Sequence, residues 1–178
     1  MLGLTAAFVY IMRMRHFIKH TALIVTMGFA LSAPSFAADP EPINFGPTEK
    51  LSILSEAGVK TFDVEVADTL KEQARGMMYR ESVPPMTGML FEFDAPKVAT
   101  IWMKNTAVSL DILFVRSNGK ILKIEHSATP YTLRNSSSEA PVAAVLELGA
   151  GQSLELGIKP GDRIAHKFFG TETLVNAN

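Results

Sequence analysis

The sequence predicts a mainly β domain, an antiparallel jelly-roll-like sandwich or partly open barrel with one or two short helices. Three observations predict it. Short apolar or alternating runs recur between glycine, proline and asparagine turn signals, helical periodicity is confined to two brief stretches, and no internal repeat organises the chain. With 178 residues, 47% of them hydrophobic and 20% charged, the chain can bury a core within one domain. Cysteine is absent, which excludes disulfides, thiolate catalysis and cysteine-ligated metal or iron–sulfur sites.

The N-terminal segment reads as an export signal rather than as part of the fold. Arg13, Arg15, His16, Lys19 and His20 form a basic stretch, Thr21 to Leu31 is an apolar run, and Ser35-Phe36-Ala37 places small residues where a signal peptidase reads them. Residues 1–37 are therefore expected to be a cleaved signal peptide, with a periplasmic or secreted destination. The run is far shorter than the ~20 residues of a bilayer span, so no stable membrane span is expected after cleavage. An apolar Met1 to Met12 stretch ahead of the basic segment points to Met12 or Met14 as alternative start sites. Without Arg13, Arg15 and Lys19 the remainder carries 14 basic against 18 acidic residues, a net charge of about −4. That balance argues against a nucleic-acid partner, which needs a concentrated basic face.

Residues 38–50 are proline-rich (Pro40, Pro42, Pro47) and read as a flexible leader, residues 51–170 as a single β domain and residues 171–178 as a tail. Leu51 to Leu54 and Val59 to Val66 flank Glu56-Ala57-Gly58 as a hairpin whose second arm turns Phe62, Val64 and Val66 inward. Thr69 with Glu72 three residues later forms a capping box for a short helix carrying Leu70 and Ala74, stopped at Gly76. Pro84-Pro85 keeps the next stretch irregular. Three strand-like runs follow: Met89 to Phe93, Val98 to Lys104, and Asp111 to Val115, the last continuously apolar after its aspartate and expected to be buried on both faces. Asn118-Gly119 turns the chain into Lys120 to His126 as a second hairpin, and Thr129 to Pro141 reads as a polar loop. Ala143 to Leu148 is a strand, and Gln152 to Leu156 a helical turn. Lys159-Pro160-Gly161-Asp162 forms a type II turn into a last strand, Arg163 to Phe169. Eight short strands are expected in all.

Six blocks, in order and spacing, resemble one family: Arg75-Gly76-Met77-Met78-Tyr79-Arg80, Gly88-Met89-Leu90-Phe91, Trp102-Met103-Lys104-Asn105-Thr106, Leu110-Asp111-Ile112, Leu146-Glu147-Leu148 and Gly161-Asp162. The chain is similar over about residues 59–169 to the bacterial and archaeal family called domain of unknown function 192. It departs conservatively at Met77 (leucine expected), Ile101 (an aromatic) and Val108-Ser109 (isoleucine-proline). The resemblance implies a mainly β, jelly-roll-like domain, often exported, with no established activity.

The site residues are read from chemistry. On an extended strand Thr100, Trp102 and Lys104 share one side and Ala99, Ile101 and Met103 the other, better core, side, so the only tryptophan and a lysine front a cleft. An indole, an ammonium and the Asn105 amide suit a sugar or a small anion; the structural alternative is a core-capping Trp102, a solvated Lys104 and a turn at Asn105. Asp111, heading the most apolar strand, must be paired if buried, and Arg75, Arg80 and Lys104 are its available partners. Glu147 shares a strand face with Val145, and Asp111 with Glu147 offers the two carboxylates that a hydrolase acting on a glycan needs as acid and base. His126 and His166 read as surface strand residues, and the nine methionines as core filler rather than a soft-metal site, so no metal and no cofactor are expected. The favoured reading is a non-catalytic module binding a small polar or anionic ligand, sugar-like or carboxylate-bearing, through Arg75, Arg80, Trp102, Lys104, Asn105, Asp111 and Glu147. The alternatives are a partner-binding or structural module of the cell envelope and the carboxylate-dependent hydrolase.

Overall fold

The structure, a computed structural model, describes residues 42–177. The expected signal segment, residues 1–37, lies outside the described residues. One seven-stranded sheet curls into a half-barrel, with spatial order β5-β4-β6-β3-β2-β1-β7. Its strands are β1 (Glu49–Ser55), β2 (Gly58–Ala67), β3 (Thr87–Ile101), β4 (Leu110–Val115), β5 (Ile121–Ala128), β6 (Ser136–Gly149) and β7 (Arg163–Ala165). The two outer strands meet at one corner, where Lys120 bridges Arg163 and the Ile164 N–H donates to the Gly119 carbonyl at 2.8 Å.

Both expected hairpins form, β1 with β2 and β4 with β5. The helix α1 (Leu70–Arg75) is opened by the capping box: the Glu72 N–H donates to Thr69 Oγ1 at 3.2 Å and the Thr69 N–H to Glu72 Oε2 at 3.0 Å. It buries none of its residues, so capping and its place in the crossover hold it, not an apolar face. A second helical turn, α2 (Gln152–Glu155), follows β6.

Several expectations are corrected. Among the described residues strands number seven, because Met89 to Phe93 and the start of Val98 to Lys104 are one strand, β3, bent by irregularities between Glu92 and Lys97, where Pro96 lies, and between Val98 and Thr100. Trp102 to Lys104 lie beyond its end. The sheet is antiparallel except where β2 runs parallel to β3, a pairing that the crossover through α1 makes possible. The second part of the supposed loop 129–141, from Ser136 on, is the start of β6; Ser138 is accommodated there because its hydroxyl accepts the Ala99 N–H at 2.9 Å and donates to the Ala140 carbonyl at 2.7 Å. The last strand is three residues long and ends where a 3₁₀ turn begins at Lys167. Val66 is half-buried, and Ala67 takes the core position next to it.

The sheet carries apolar side chains on both faces. Leu51, Phe62, Leu90, Leu113, Leu146 and Leu148 form one cluster, while Met77, Met89, Phe91, Ile112, Phe114 and Val145 belong to the other. Consecutive residues of β3, β4 and β6 alternate between the two, as a strand buried on both sides requires.

Candidate functional site

The site lies on the Met89–Ile112–Val145 face, between the exit of α1 and the end of β3. Gly76 ends α1 at φ 47, and a Cβ there would meet Phe91 Cζ at 3.0 Å, so only glycine turns the chain this closely over the sheet. The turn sets Arg75, Met77 and Met78 along one wall of a cavity of about 90 Å³; Thr100 to Met103 form the facing wall, and Phe91, Thr106 and Glu147 complete the lining.

Glu147 lies directly opposite Met89 on β3 and Ile112 on β4, so its side chain projects onto their apolar face. It is only 4% exposed and makes no hydrogen bond to another described residue. Burial pushes its carboxyl up to about 8, against the opposing pull of the Arg80 charge. At neutral pH it is mostly a neutral acid, able to donate one hydrogen bond and accept others.

The rim is held by backbone in uncommon conformations. Trp102 is half exposed, with Lys104 Nζ 5.3 Å from its ring centroid, and the Arg75 guanidinium lies 4.8 Å over the Tyr79 ring. The Tyr79 N–H donates to the Asn105 carbonyl at 2.9 Å, and Asn105 Nδ2 returns a bond to the Tyr79 hydroxyl at 2.8 Å. Both residues are left-handed, Tyr79 at φ 65 and Asn105 at φ 55, a conformation asparagine tolerates and a bulky tyrosine adopts only when its surroundings impose it. Tyr131, at φ 57, ties the next loop to this rim through its N–H to the Thr106 carbonyl at 3.1 Å.

The structure therefore brings Arg75, Trp102 and Glu147 around one cavity, with Lys104 and Asn105 at its edge. Arg80 lies outside this cavity's lining, although its charge reaches Glu147. It pairs with Glu65 and lines a separate cavity of about 210 Å³, with Met77 common to the linings of both. Asp111 is a correction: it is fully buried but pairs with no cation. Its Oδ1 accepts the Ser127 N–H at 2.9 Å and the Gly151 N–H at 3.1 Å, and its Oδ2 accepts the Ser153 N–H at 2.9 Å and the Ser153 hydroxyl at 2.6 Å. Burial alone would raise its pKa, but these hydrogen bonds outweigh that and hold it below the usual aspartate value. Asp111 lies opposite Leu148 whereas Glu147 lies opposite Ile112, so the two carboxylates project from opposite faces of the sheet. The acid–base pair considered for a hydrolase does not form.

His126 is the exposed strand residue expected, with its Nδ1 2.9 Å from the Ser153 hydroxyl, whereas His166 is a correction. His166 is buried, with Nε2 3.0 Å from Glu49 and Nδ1 3.8 Å from Glu92. Burial holds His166 below the ordinary histidine value, although Glu49 pulls it back; burial, reinforced by the charges of Glu49 and Asp68, pushes Glu92 up to about 7. Pairings of this kind join residues 27 or more positions apart, and strand periodicity carries no signal for them. Tyr79 was legible only as part of the Arg75 to Arg80 block. Among the described residues no group of three His, Asp or Glu side chains is arranged to hold a metal ion, and no helix is long and apolar enough to cross a membrane.

Fold and site together define a mainly β domain whose curled sheet carries a small, half-polar cavity over a buried acid. The chain belongs to the DUF192 family, described as an uncharacterized ACR, which it matches over residues 52–166. It is similar to two solved structures. One, from Sinorhizobium meliloti 1021, is named provisionally as a transcription regulator; it is 35% identical over 72% of this chain and 99% of its own length, with a TM-score of 0.68. The other, a protein of unknown function from Novosphingobium aromaticivorans DSM 12444, is 36% identical over 72% of this chain and 93% of its own, with a TM-score of 0.67. No curated protein matches the chain.

Proposed function

We propose that this domain is a binding module that takes a small polar ligand into the cavity between Arg75, Trp102 and Glu147, and that it does so outside the cytoplasm, after export directed by residues 1–37. The observation that carries the reading is Glu147: a carboxyl with no hydrogen-bond partner among the described residues, lining a cavity. Unlike Glu92 Oε1 and His166 Nε2, which are sealed from solvent without a hydrogen bond, its oxygens are open to that cavity, where a ligand can supply the bond that the fold does not. The neutral acid complements a hydroxyl, which also both donates and accepts, while Arg75 and Lys104 favour negative charge at the mouth. A small hydroxy acid meets both demands, and because a cavity of about 90 Å³ admits only a few non-hydrogen atoms, a sugar acid would enter it by one end alone.

The test is a thermal-shift screen of hydroxy acids, sugar acids and neutral sugars against the chain and its Trp102→Ala and Glu147→Leu variants. Stabilisation by a compound of the first two classes, lost in both variants, is the expected outcome. Equal stabilisation of wild type and both variants, or none from any compound, ends this reading.

A further inference from the structure

The cavity is smaller than the surface that surrounds it. Of the eight exposed large apolar side chains among the described residues, four stand on its collar: Tyr79 at 49% exposure, Trp102 at 50%, Tyr131 at 65% and Leu133 at 66%. They belong to three segments fastened to one another by backbone hydrogen bonds, Tyr79 to Asn105, Met103 to Thr132 and Tyr131 to Thr106, so they move as one surface. Tyr79, Asn105 and Tyr131 hold positive φ, which sets these side chains in place before anything binds. A ligand of a few atoms would fill the cavity and leave this collar bare. The collar therefore fits something larger whose tip enters the cavity.

Charge and composition narrow the occupant. Segments 102–109 and 129–135 contain Lys104 and Arg134 and no acidic residue, and the third segment, 75–81, carries Arg75 and Arg80 against one acid, Glu81. Arg134 is held by Glu125 at 3.1 Å, while Lys104 and Arg75 lie over aromatic rings. Tryptophan, tyrosine, arginine and methionine together make the composition of a protein-binding hot spot. A glycan fits less well. The ammonium and guanidinium already lie over a face of Trp102 and of Tyr79, and Leu133 offers no ring for a sugar to stack on.

We infer that the collar is the docking surface for an acidic, extended segment of a partner protein, which lays apolar side chains against Tyr131 and Leu133 and inserts one polar group into the Glu147 cavity. This rests on the binding reading of that cavity and names its partner.

Fluorescence anisotropy tests it with the full chain and three labelled probes: a short acidic peptide ending in leucine, its twin with lysines for the acids, and a chito-oligosaccharide. The acidic peptide should bind, more weakly as salt is raised, and the lysine twin should bind at least tenfold less tightly. The double variant Tyr131→Ser/Leu133→Ser, whose side chains are exposed enough to leave folding intact, should lose at least tenfold in peptide affinity while its thermal shift with a cavity-sized hydroxy acid is unchanged. Equal binding of the two peptides, peptide binding indifferent to the double substitution, or preference for the oligosaccharide would each overturn the inference. A hydroxy acid that stabilises the chain when no peptide binds would overturn it too, while leaving the cavity reading intact. If neither the hydroxy acid nor the peptide interacts, both readings fall together.

Discussion

Asp111 and Glu147 sit on neighbouring strands, one residue out of register, and both are removed from solvent. One projects to each face of the sheet, and there the likeness ends. Asp111 receives hydrogen bonds from three backbone N–H groups and a hydroxyl, and its pKa is lowered. Glu147 receives none from the described residues and is pushed up to about 8. Burial is common to both, so donors alone separate a carboxylate that builds the fold from one left waiting for a partner. Asp111 clips the ends of β5 and β6 and the start of α2 to the head of β4; Glu147 clips nothing.

The sharpest way to break this comparison is to take the acceptor away from Asp111. In Asp111→Asn the amide keeps one acceptor oxygen for the Ser127 and Gly151 N–H groups but turns its NH2 toward the Ser153 N–H, which is stranded, and every charge-assisted bond is weakened, so a loss of roughly 3 kcal/mol is expected by chemical denaturation. A loss under about 1 kcal/mol would mean that this carboxylate is as idle as Glu147. Because its folded pKa lies below the unfolded value, its contribution is present above the unfolded pKa and fades as pH falls through the folded one.

Glu147→Gln should act in the opposite sense and with smaller size. The folded value of about 8 stands above the ordinary 4.5, so the folded state keeps a proton that the unfolded chain releases across that interval, and stability is full below it and lost as pH rises through it. Glutamine removes that loss, and the variant should exceed wild type at pH 9 by a few kcal/mol while matching it near pH 5. Glu92, raised to about 7, gives a slope of the same sign, but it is common to both proteins and cancels in their difference, which opens between the ordinary value of 4.5 and about 8. Parallel stability curves for the two proteins in that window would show that Glu147 is ionised and partnered in the fold.

What the sequence made legible, and what it did not, follows from the same distinction. Hairpins, the capping box at Thr69 and the buried run Leu110–Val115 are local patterns, and each appears where its spacing places it. Glu147 was visible as a candidate in an apolar strand, but its burial was not, because a charged residue on a strand is ordinarily solvated and only the second apolar cluster packed over its face removes it from water. Asp111's partners were not visible either, because Ser127, Gly151 and Ser153 reach it through turns, and turn amides look alike in a sequence. Arg75, Arg80 and Lys104 were the visible cations, but two short backbone segments served instead. The parallel β2–β3 pair escaped for a related reason: strand direction is decided by a crossover, not by either strand's residues.

Trp102→Ala separates stability from binding at the cavity. The indole is half exposed and ends no strand pairing, so its removal should destabilise by about 1 kcal/mol, while any thermal shift given by a cavity ligand disappears. A loss several times larger would make Trp102 a core cap, the structural role that competes with the cleft reading.

The smallest expected effect tests how far the Asp111 network extends. The Ser153 hydroxyl has one hydrogen and gives it to Asp111, so His126 at 2.9 Å must act as donor, with its proton on Nδ1. Removing this ring in His126→Ala takes away a donor and leaves no donor unsatisfied. Asp111 keeps every bond it has, and His126 is exposed enough for water to replace it at the Ser153 oxygen. The change should be within about 0.5 kcal/mol, and the acid limb of the stability curve, set by Asp111, should not move. Were His126→Ala to approach the cost of Asp111→Asn, the carboxylate would depend on a histidine at the surface, and the self-contained anchor would have to be redrawn as a relay open to solvent.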